Sequence, residues 1–475
     1  MNHLMTYHKV EEYILSIPKF TKKNTFETTK HFYQFLGCPG SQSKILHVAG
    51  TNGKGSVCAY MNSVLMKEGI RTGMFTSPHL VTMRERMRLQ SEWIEEEEFV
   101  TIFHVLMKKI KEFQGQEEGY HPTFFEILFF MAMIWYEKQR PEVLILETGL
   151  GGMLDTTNVI EQPEVCIITG IGYDHMEYLG NTLEEIAGQK AGIIKKGSKV
   201  IYSAKRQETD SIIEEKAKEM QVLCKSVTKP ENPVFSFVDK KIDFSFYSRY
   251  YGYIPIQINT VALYQSENAN LALSALEEAN LNIHEKSMTE GILDCLWEAR
   301  MEEILPHVFL DGAHNEDGIR AFLSTVERDG CRGRRWLLFS AVADKEYMKM
   351  KEEVISSGLF CEIYAACLKN LRGIKKEELE RIFSKEKVRI SDTVREGLQE
   401  ILSLKKEEDF VYIAGSLYLA GEIKEVMINF EEELKKFHPS LEIEDAEDAL
   451  YRKNLTDIAD LVVELVKEVK EDENK

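Results

Sequence analysis

The sequence predicts an α/β protein. It has a P-loop domain on a mostly parallel sheet with a small antiparallel excursion, followed by a smaller Rossmann-like α/β domain. Three observations lead there. Short apolar runs of strand length alternate with helix-length periodic segments, as in a parallel sheet covered on both faces. One such run enters a glycine-rich loop that opens directly into a helix. The alternation is interrupted by an aromatic, two-residue-period stretch and then restarts near residue 299.

The first run is Ile45-Leu46-His47-Val48-Ala49, and after the glycine loop Val57, Tyr60, Met61, Val64 and Leu65 recur at helical spacing up to Gly69. Gly73-Met74-Phe75 is a strand candidate ending at Thr76-Ser77-Pro78-His79. Helices are expected from about Glu95 to Phe113 and from Phe124 to Glu137. Val143-Leu144-Ile145-Leu146 stops at Glu147, Val165-Cys166-Ile167-Ile168-Thr169 stops before Asp174-His175, and Val200-Ile201-Tyr202 follows. Phe235 to Ile258 alternates as an antiparallel excursion would, and a helix is expected from about Ser266 to Ala279. The later strands are Val308-Phe309-Leu310, Trp336-Leu337-Leu338-Phe339, Glu362-Ile363-Tyr364 and Phe410-Val411-Tyr412-Ile413. The expected division is therefore residues 1–298, 299–438 and an acidic tail, 439–475. In that tail Leu455, Ile458, Leu461, Val462, Leu465 and Val466 fit one amphipathic helix.

Composition narrows the function. A chain of 475 residues exceeds one compact core, which agrees with two domains. A net charge of −19 argues against nucleic acid as the main partner, because phosphate neutralisation needs a basic surface. The eight cysteines include no C-x-x-C pair, so neither a zinc knuckle nor a disulfide framework is expected. The start of the chain lacks a continuous apolar segment, and Phe124 to Tyr136 is too short to span a bilayer. A cytoplasmic protein without a membrane partner is expected.

The chemistry gathers after the strands, where parallel sheets bind ligands. In Gly50-Thr51-Asn52-Gly53-Lys54-Gly55-Ser56 the glycines let backbone N–H groups turn toward phosphate oxygens. Lys54 would reach the outer phosphates of ATP and Ser56 would ligate Mg²⁺. Gly55 separates Lys54 from Ser56, so the strict G-x-x-x-x-G-K-[ST] pattern is not matched; the plain alternative is a glycine turn between strand and helix. Glu147 and His175, read as ending adjacent strands, are a further carboxylate and imidazole suited to Mg²⁺. Lys190 lies in a helical stretch, where a lysine by default faces solvent. Gly149-Leu150-Gly151-Gly152 is a second loop open to close approach by a ligand. Asp311-Gly312-Ala313-His314-Asn315 follows the first strand of the second domain, where it could face the nucleotide across a cleft: Asp311 suits ribose hydroxyls and Arg300 suits phosphate.

These stretches, in order, resemble the folylpolyglutamate synthases and the related dihydrofolate synthases of the Mur ligase superfamily. The resemblance is carried by His47 to Ser56, Thr76-Ser77-Pro78-His79-Leu80, Thr123-Phe124-Phe125-Glu126 and Glu147 to Gly152 with Leu154-Asp155 and Thr157-Asn158. It continues through Asp174-His175, Leu179-Gly180-Asn181-Thr182, Lys190 to Lys195, Asn268-Ala269, Asp311 to Asn315 and Gly415 to Leu419. It implies that Ser56, Ser77, Glu147 and His175 are Mg²⁺ ligands and that Lys190 is carbamylated, which would turn a cation into a metal-binding anion. Catalysis would rest on Lys54, Glu147, His175 and Lys190. ATP would be held by Gly50 to Ser56 with Asn268, Arg300, Asp311 and His314. Folate would be held by Thr123, Phe124, Phe125 and Glu126 and by Asp155, Thr156 and Thr157.

The implied function is ATP-dependent addition of L-glutamate to a reduced folate through an acyl phosphate, in folate biosynthesis and one-carbon metabolism, by a monomer. Dihydropteroate is the alternative acceptor, for a dihydrofolate synthase activity alone or in addition. A Mur-type ligase for another acid and a nucleotide-binding paralogue without catalysis are the remaining readings. Four positions depart from the family pattern: Met153 and Gly170 stand where Arg and Ser are usual, Glu298-Ala299-Arg300 replaces Pro-Gly-Arg, and the tail has no counterpart.

Overall fold

The structure, a computed structural model, describes residues 5–17, 24–117, 119–342, 346–369 and 373–437. The chain divides into two compact units, Met1–Asn259 with Tyr264–Trp297, and Thr260–Leu263 with Glu298–Lys475. The second unit thus takes in a short piece of chain ahead of the boundary expected near residue 299. The acidic tail and its amphipathic pattern lie outside the described residues.

In the first unit the main sheet contains β1 (Lys44–Ala49), β2 (Thr72–Phe75), β3 (Met87–Leu89), β4 (Glu92–Trp93), β5 (Val143–Glu147), β6 (Val165–Ile168), β7 (Lys199–Ser203) and β8 (Leu223–Val227). Their order is β4-β3-β2-β5-β1-β6-β7-β8, parallel from β2 to β8 with β3 and β4 folded back at one edge. The central strands are buried on both faces, which is why they read as continuous apolar runs. Alternate residues feed opposite layers. Ile45, Leu144 and Leu146 join the core made by the helices Glu96–Gln114 and Phe124–Gln139. Leu46, Val48, Val143 and Ile145 join the core made by Lys54–Lys67 and Gln265–Glu278.

One expectation is corrected here. β5 and β6 are not neighbours, because β1 runs between them and pairs with both. Nor does His175 end a strand: β6 stops at Ile168, and His175 caps the short helix Met176–Leu179 at φ 49°. Sheet order departs from chain order here because the crossovers are long enough to skip a strand. In this unit the strands that the sequence hid are β3, β4 and β8, short or at the sheet's edges, where half-exposure removes the apolar signature.

The excursion is an antiparallel sheet of β9 (Val234–Ser236), β10 (Lys241–Ser248) and β11 (Gly252–Ile258). Phe244 and Phe246 point inward with Ile254, Ile256 and Ile258, while Tyr247 and Tyr253 pair on the open face. The second unit has β12 (Glu302–Leu305), β13 (Val308–Leu310), β14 (Arg335–Phe339), β15 (Glu362–Ala366), β16 (Val388–Ser391) and β17 (Phe410–Ala414), in the order β12-β13-β17-β14-β15-β16. All its pairs are parallel except β12 with β13. Among the described residues no helix is long and apolar enough to cross a membrane.

Candidate active site

The register sets the site's position. Val48 lies opposite Glu147 and Ala49 opposite Ile168, so the glycine loop, Glu147 and the chain after β6 leave the sheet at one edge. Loop and chain are stitched together. Gly170 O accepts the amides of Thr51 (3.0 Å) and Asn52 (3.3 Å), and the Thr51 hydroxyl donates to Gly172 O while accepting the Gly172 amide. Gly170, where the family usually has Ser, therefore serves through its carbonyl. With those two amides engaged, the amides left open to the phosphates the sequence leads one to expect lie in the first turn of the helix Lys54–Lys67. Its first internal bond is Val57 N to Gly53 O, so the amides of Lys54, Gly55 and Ser56 precede the helical ladder.

Two positions explain the loop's glycines. Gly53 is left-handed at φ 91°, and a Cβ there would lie 2.3 Å from Asn268 Oδ1, which puts this expected ATP contact beside the loop. At Gly55 a Cβ would lie 3.1 Å from Nε1 and Cζ2 of Trp297. The indole is in turn covered by the Arg88 guanidinium, 5.2 Å from its centroid. A side chain directly after Lys54 would press its Cβ against that ring, which would have to give by a few tenths of an ångström. Trp297 was missed in the sequence; its only cue was a large aromatic shortly before Arg300.

Two lysines meet on one carbonyl. Lys54 Nζ donates to Gly50 O and Thr51 O, both at 3.1 Å, and Lys190 Nζ donates to Gly50 O at 2.8 Å. Lys190 is buried, contrary to the default for a helix lysine. Burial, and then the Lys54 charge, pull its pKa down to about 7, with Asp174 and Asp155 opposing. The lowered pKa favours the neutral amine, the form that reacts with carbon dioxide. Glu147 is buried at the end of β5 and its Oε2 accepts the Ser77 amide at 2.9 Å, so the structure joins these two predicted metal ligands. The Ser56 hydroxyl is buried with no hydrogen-bond partner among the described residues, as are those of Thr148 and Thr169. Among the described residues no three His, Cys, Asp or Glu side chains form a metal cage. A hydroxyl and a carboxylate at a phosphate loop are the oxygen donors that Mg²⁺ takes when it keeps several waters, and the residues fit it.

The segments expected to hold folate lie around the second glycine loop. The Phe125 ring packs on Gly149, 2.6 Å from where a Cβ would stand, and against Phe75. Phe124 lies under the Arg86 guanidinium. Thr123 and Glu126 form a capping box, and the Glu126 carboxylate also accepts from Thr29 Oγ1 at 2.6 Å and Asn24 Nδ2 at 3.3 Å. Asp155 accepts the Leu150 amide at 2.7 Å and both the amide and hydroxyl of Thr157. Thr156 is partly exposed, and Met153 and Leu154 are exposed beside it.

In the second unit, Arg300, Asp311 and His314 gather about Gly312. Asp311 accepts the amides of Met301 (3.0 Å) and Ala313 (2.8 Å). Arg300 Nη1 bonds to Ala299 O and lies 2.6 Å from a Cβ position on Gly312. His314 Nδ1 is 2.8 Å from Gly312 O, which requires it to be the protonated nitrogen. Asn315 caps the helix Glu316–Val326.

The class of protein such an edge defines is an enzyme that handles nucleotide phosphates. Comparison with known proteins gives the family. Residues 48–276 match the Mur ligase middle domain, and residues 299–417 match the glutamate ligase domain of Mur ligases. The chain is 32% identical over 431 residues to the dihydrofolate synthase/folylpolyglutamate synthase of Bacillus subtilis, covering 88% of this chain and 98% of the relative. It is 25% identical to the folylpolyglutamate synthase of Lacticaseibacillus casei over 435 residues, 89% of this chain and 99% of the relative. Among solved structures, E. coli FolC in complex with DHPP and ADP superposes with a TM-score of 0.79 at 26% identity, covering 90% of this chain and 99% of that one. The chain belongs to the folylpolyglutamate synthase and dihydrofolate synthase family of Mur ligases. It is an ATP-dependent, amide-forming ligase.

Proposed function

We propose that this protein adds L-glutamate to a reduced folate, with ATP converted to ADP and phosphate. A carboxylate is a poor acylating agent at neutral pH. One oxygen of the folate carboxylate attacks the γ-phosphorus of ATP, ADP leaves, and an acyl phosphate forms. The glutamate amine then attacks the acyl carbon, loses a proton, and phosphate departs. Lys54 stabilises charge on the transferring group, and the first-turn amides orient the phosphates. Mg²⁺, when bound, would neutralise phosphate charge, held by Ser56, Ser77, Glu147 and His175, with Lys190 as a carbamate. Asn268, Arg300, Asp311 and His314 are assigned to the nucleotide, and the segments 123–126 and 155–157 to the pteroyl group. We place the enzyme in the cytoplasm as a monomer.

The observation that carries this reading is the pair of lysines on Gly50 O, one of them buried with its pKa drawn down to about 7. Phosphate release is the test, with ATP, Mg²⁺ and L-glutamate while the acceptor is dihydropteroate, tetrahydrofolate or absent. Release that depends on a pteroyl acceptor is expected; tight ATP binding without release for any acceptor would favour a non-catalytic paralogue instead. A dihydrofolate synthase activity in addition is supported by the exposed apolar Met153 at a position where the family usually has Arg. With one cation fewer beside the second loop, dihydropteroate, which lacks the glutamate carboxylates, loses less than a polyglutamate does. The label ¹³C-bicarbonate tests the carbamate: a carbamate resonance is expected in the wild type and absent in Lys190→Ala.

A further inference from the structure

A buried chain of hydrogen bonds leads from the middle of β1 to the second glycine loop. His47 is fully buried, with Nε2 2.8 Å from Thr157 Oγ1. That hydroxyl is 2.6 Å from Asp155 Oδ1, which also accepts the Thr157 amide at 2.9 Å. The other carboxylate oxygen accepts the Leu150 amide at 2.7 Å. Burial raises the Asp155 pKa, while the bonds from Thr157 and Leu150 favour its charged form. As a carboxylate it only accepts, so the single hydroxyl proton of Thr157 then goes to Asp155. The Thr157 oxygen can then only accept from His47, and the imidazole must be the Nε2–H tautomer. Its Nδ1 is buried with no partner among the described residues. Burial draws the imidazole's pKa down to about 3, so a second proton does not arrive in the neutral range.

A side chain kept only to fill this space would not leave a ring nitrogen buried and unpaired, since an apolar group fills it without that penalty. What an apolar residue lacks is the Nε2 proton. The chain that this proton starts ends on the Leu150 amide, in the turn directly after Glu147 and Thr148 whose Gly149 lies against the ring of Phe125. We propose that His47 is a positioning residue for the pteroyl acceptor: it orients the Thr157 hydroxyl, which orients the Asp155 carboxylate, which fixes the Gly149–Leu150 turn. This rests on the ligase reading above.

The test compares His47→Leu, His47→Gln and Thr157→Val with the wild type, using tetrahydrofolate, ATP, Mg²⁺ and L-glutamate. His47→Leu and Thr157→Val should raise KM for the acceptor about tenfold or more while KM for ATP stays within about twofold. His47→Gln, whose amide nitrogen can replace the Nε2 donor, should recover most of the loss. Wild-type acceptor KM in His47→Leu, a Gln variant no better than Leu, or parallel rises in both KM values would overturn the proposal. If His47→Leu does not fold, the tautomer of His47 in the wild type decides the matter, because Thr157→Val also removes a side chain assigned to the pteroyl group itself. Long-range ¹H–¹⁵N spectra of the wild type provide an assay-free check, because an Nδ1–H tautomer at His47 would also overturn it. Wild-type turnover with unshifted variants sinks only this inference, whereas no wild-type turnover with any pteroyl acceptor sinks the ligase reading and this one with it.

Discussion

The loop Gly50 to Ser56 and the turn Asp311 to Asn315 both follow a parallel strand, and they use polar atoms in opposite ways. Around Asp311 the observed bonds run inward: the carboxylate takes two amides, His314 binds Gly312 O and Asn315 caps a helix. Around Gly50, Ser56, Thr148 and Thr169 bury hydroxyls without partners among the described residues, and two amines crowd one carbonyl. The first arrangement makes a rigid turn. The second leaves polar groups locally unsatisfied, a departure that functional sites commonly show and that fits the ligand role proposed for the loop. Substitutions in the turn should therefore lower stability most, and substitutions in the loop should lower turnover most.

The largest separation is expected at Lys54. Lys54→Ala should lower acceptor-dependent phosphate release by about a hundredfold or more. Its thermal midpoint should stay near that of the wild type. Near-normal turnover would remove the role assigned to it. Lys190 should show a pH signature. Its pKa is low in the folded protein and ordinary in the unfolded chain, so the unfolded state binds more protons between about 7 and 10.5. The penalty for burying it is complete below pH 7 and fades as pH rises. Lys190→Met, without nucleotide or metal, should therefore gain stability over the wild type on the order of a few kcal/mol at pH 6, and clearly less at pH 9, in urea titrations. A pH-independent difference would contradict the shift. In the turn, Asp311→Asn leaves one of two backbone amides without its acceptor and should lower stability by about 1–3 kcal/mol.

Much of this contrast was legible in the sequence, because the phosphate loop and the strand-end Glu147 follow from motif and periodicity. The two-unit layout, the antiparallel excursion and most central strands were legible for the same reason: buried parallel strands leave unbroken apolar runs. Sheet order was not. Nothing local in Val143 to Glu147 or Val165 to Ile168 says that β1 lies between them. The burial of Lys190 was equally hidden, since its helix is amphipathic either way and only the packing against Gly50 decides its surroundings. Trp297 and His47 act through contacts distant in sequence, so spacing alone could not mark them.

Gly53 separates backbone strain from ligand chemistry. Gly53→Ala meets both a left-handed φ and the Asn268 side chain, whereas Gly69→Ala meets a left-handed φ of 78° with nothing within 4 Å. Each should lose about 1 kcal/mol of stability or somewhat more from the backbone term. Only Gly53→Ala should also weaken ATP binding, by about tenfold, in calorimetric titration. Equal ATP affinities would mean that the contact between Gly53 and Asn268 has no part in the nucleotide site.

The smallest effect is expected at Ala299, in the segment that departs from the family's Pro-Gly-Arg. Ala299 is held at φ 53° and Met301 at φ 50°, on either side of Arg300. A left-handed conformation costs an L-residue about 1–2 kcal/mol, and glycine avoids that strain but loses about 0.5–1 kcal/mol through its freer unfolded chain. Ala299→Gly should therefore stabilise the protein slightly, by about 0.5 kcal/mol. The Ala299 carbonyl that holds Arg300 Nη1 and the Gly312 amide depends on this backbone geometry. If the strained turn only shapes the backbone, the melting temperature should rise a little and KM for ATP should not move. A changed KM for ATP at unchanged stability would instead mean that Ala299 tunes the placement of Arg300, and the turn would then share the character of the loop.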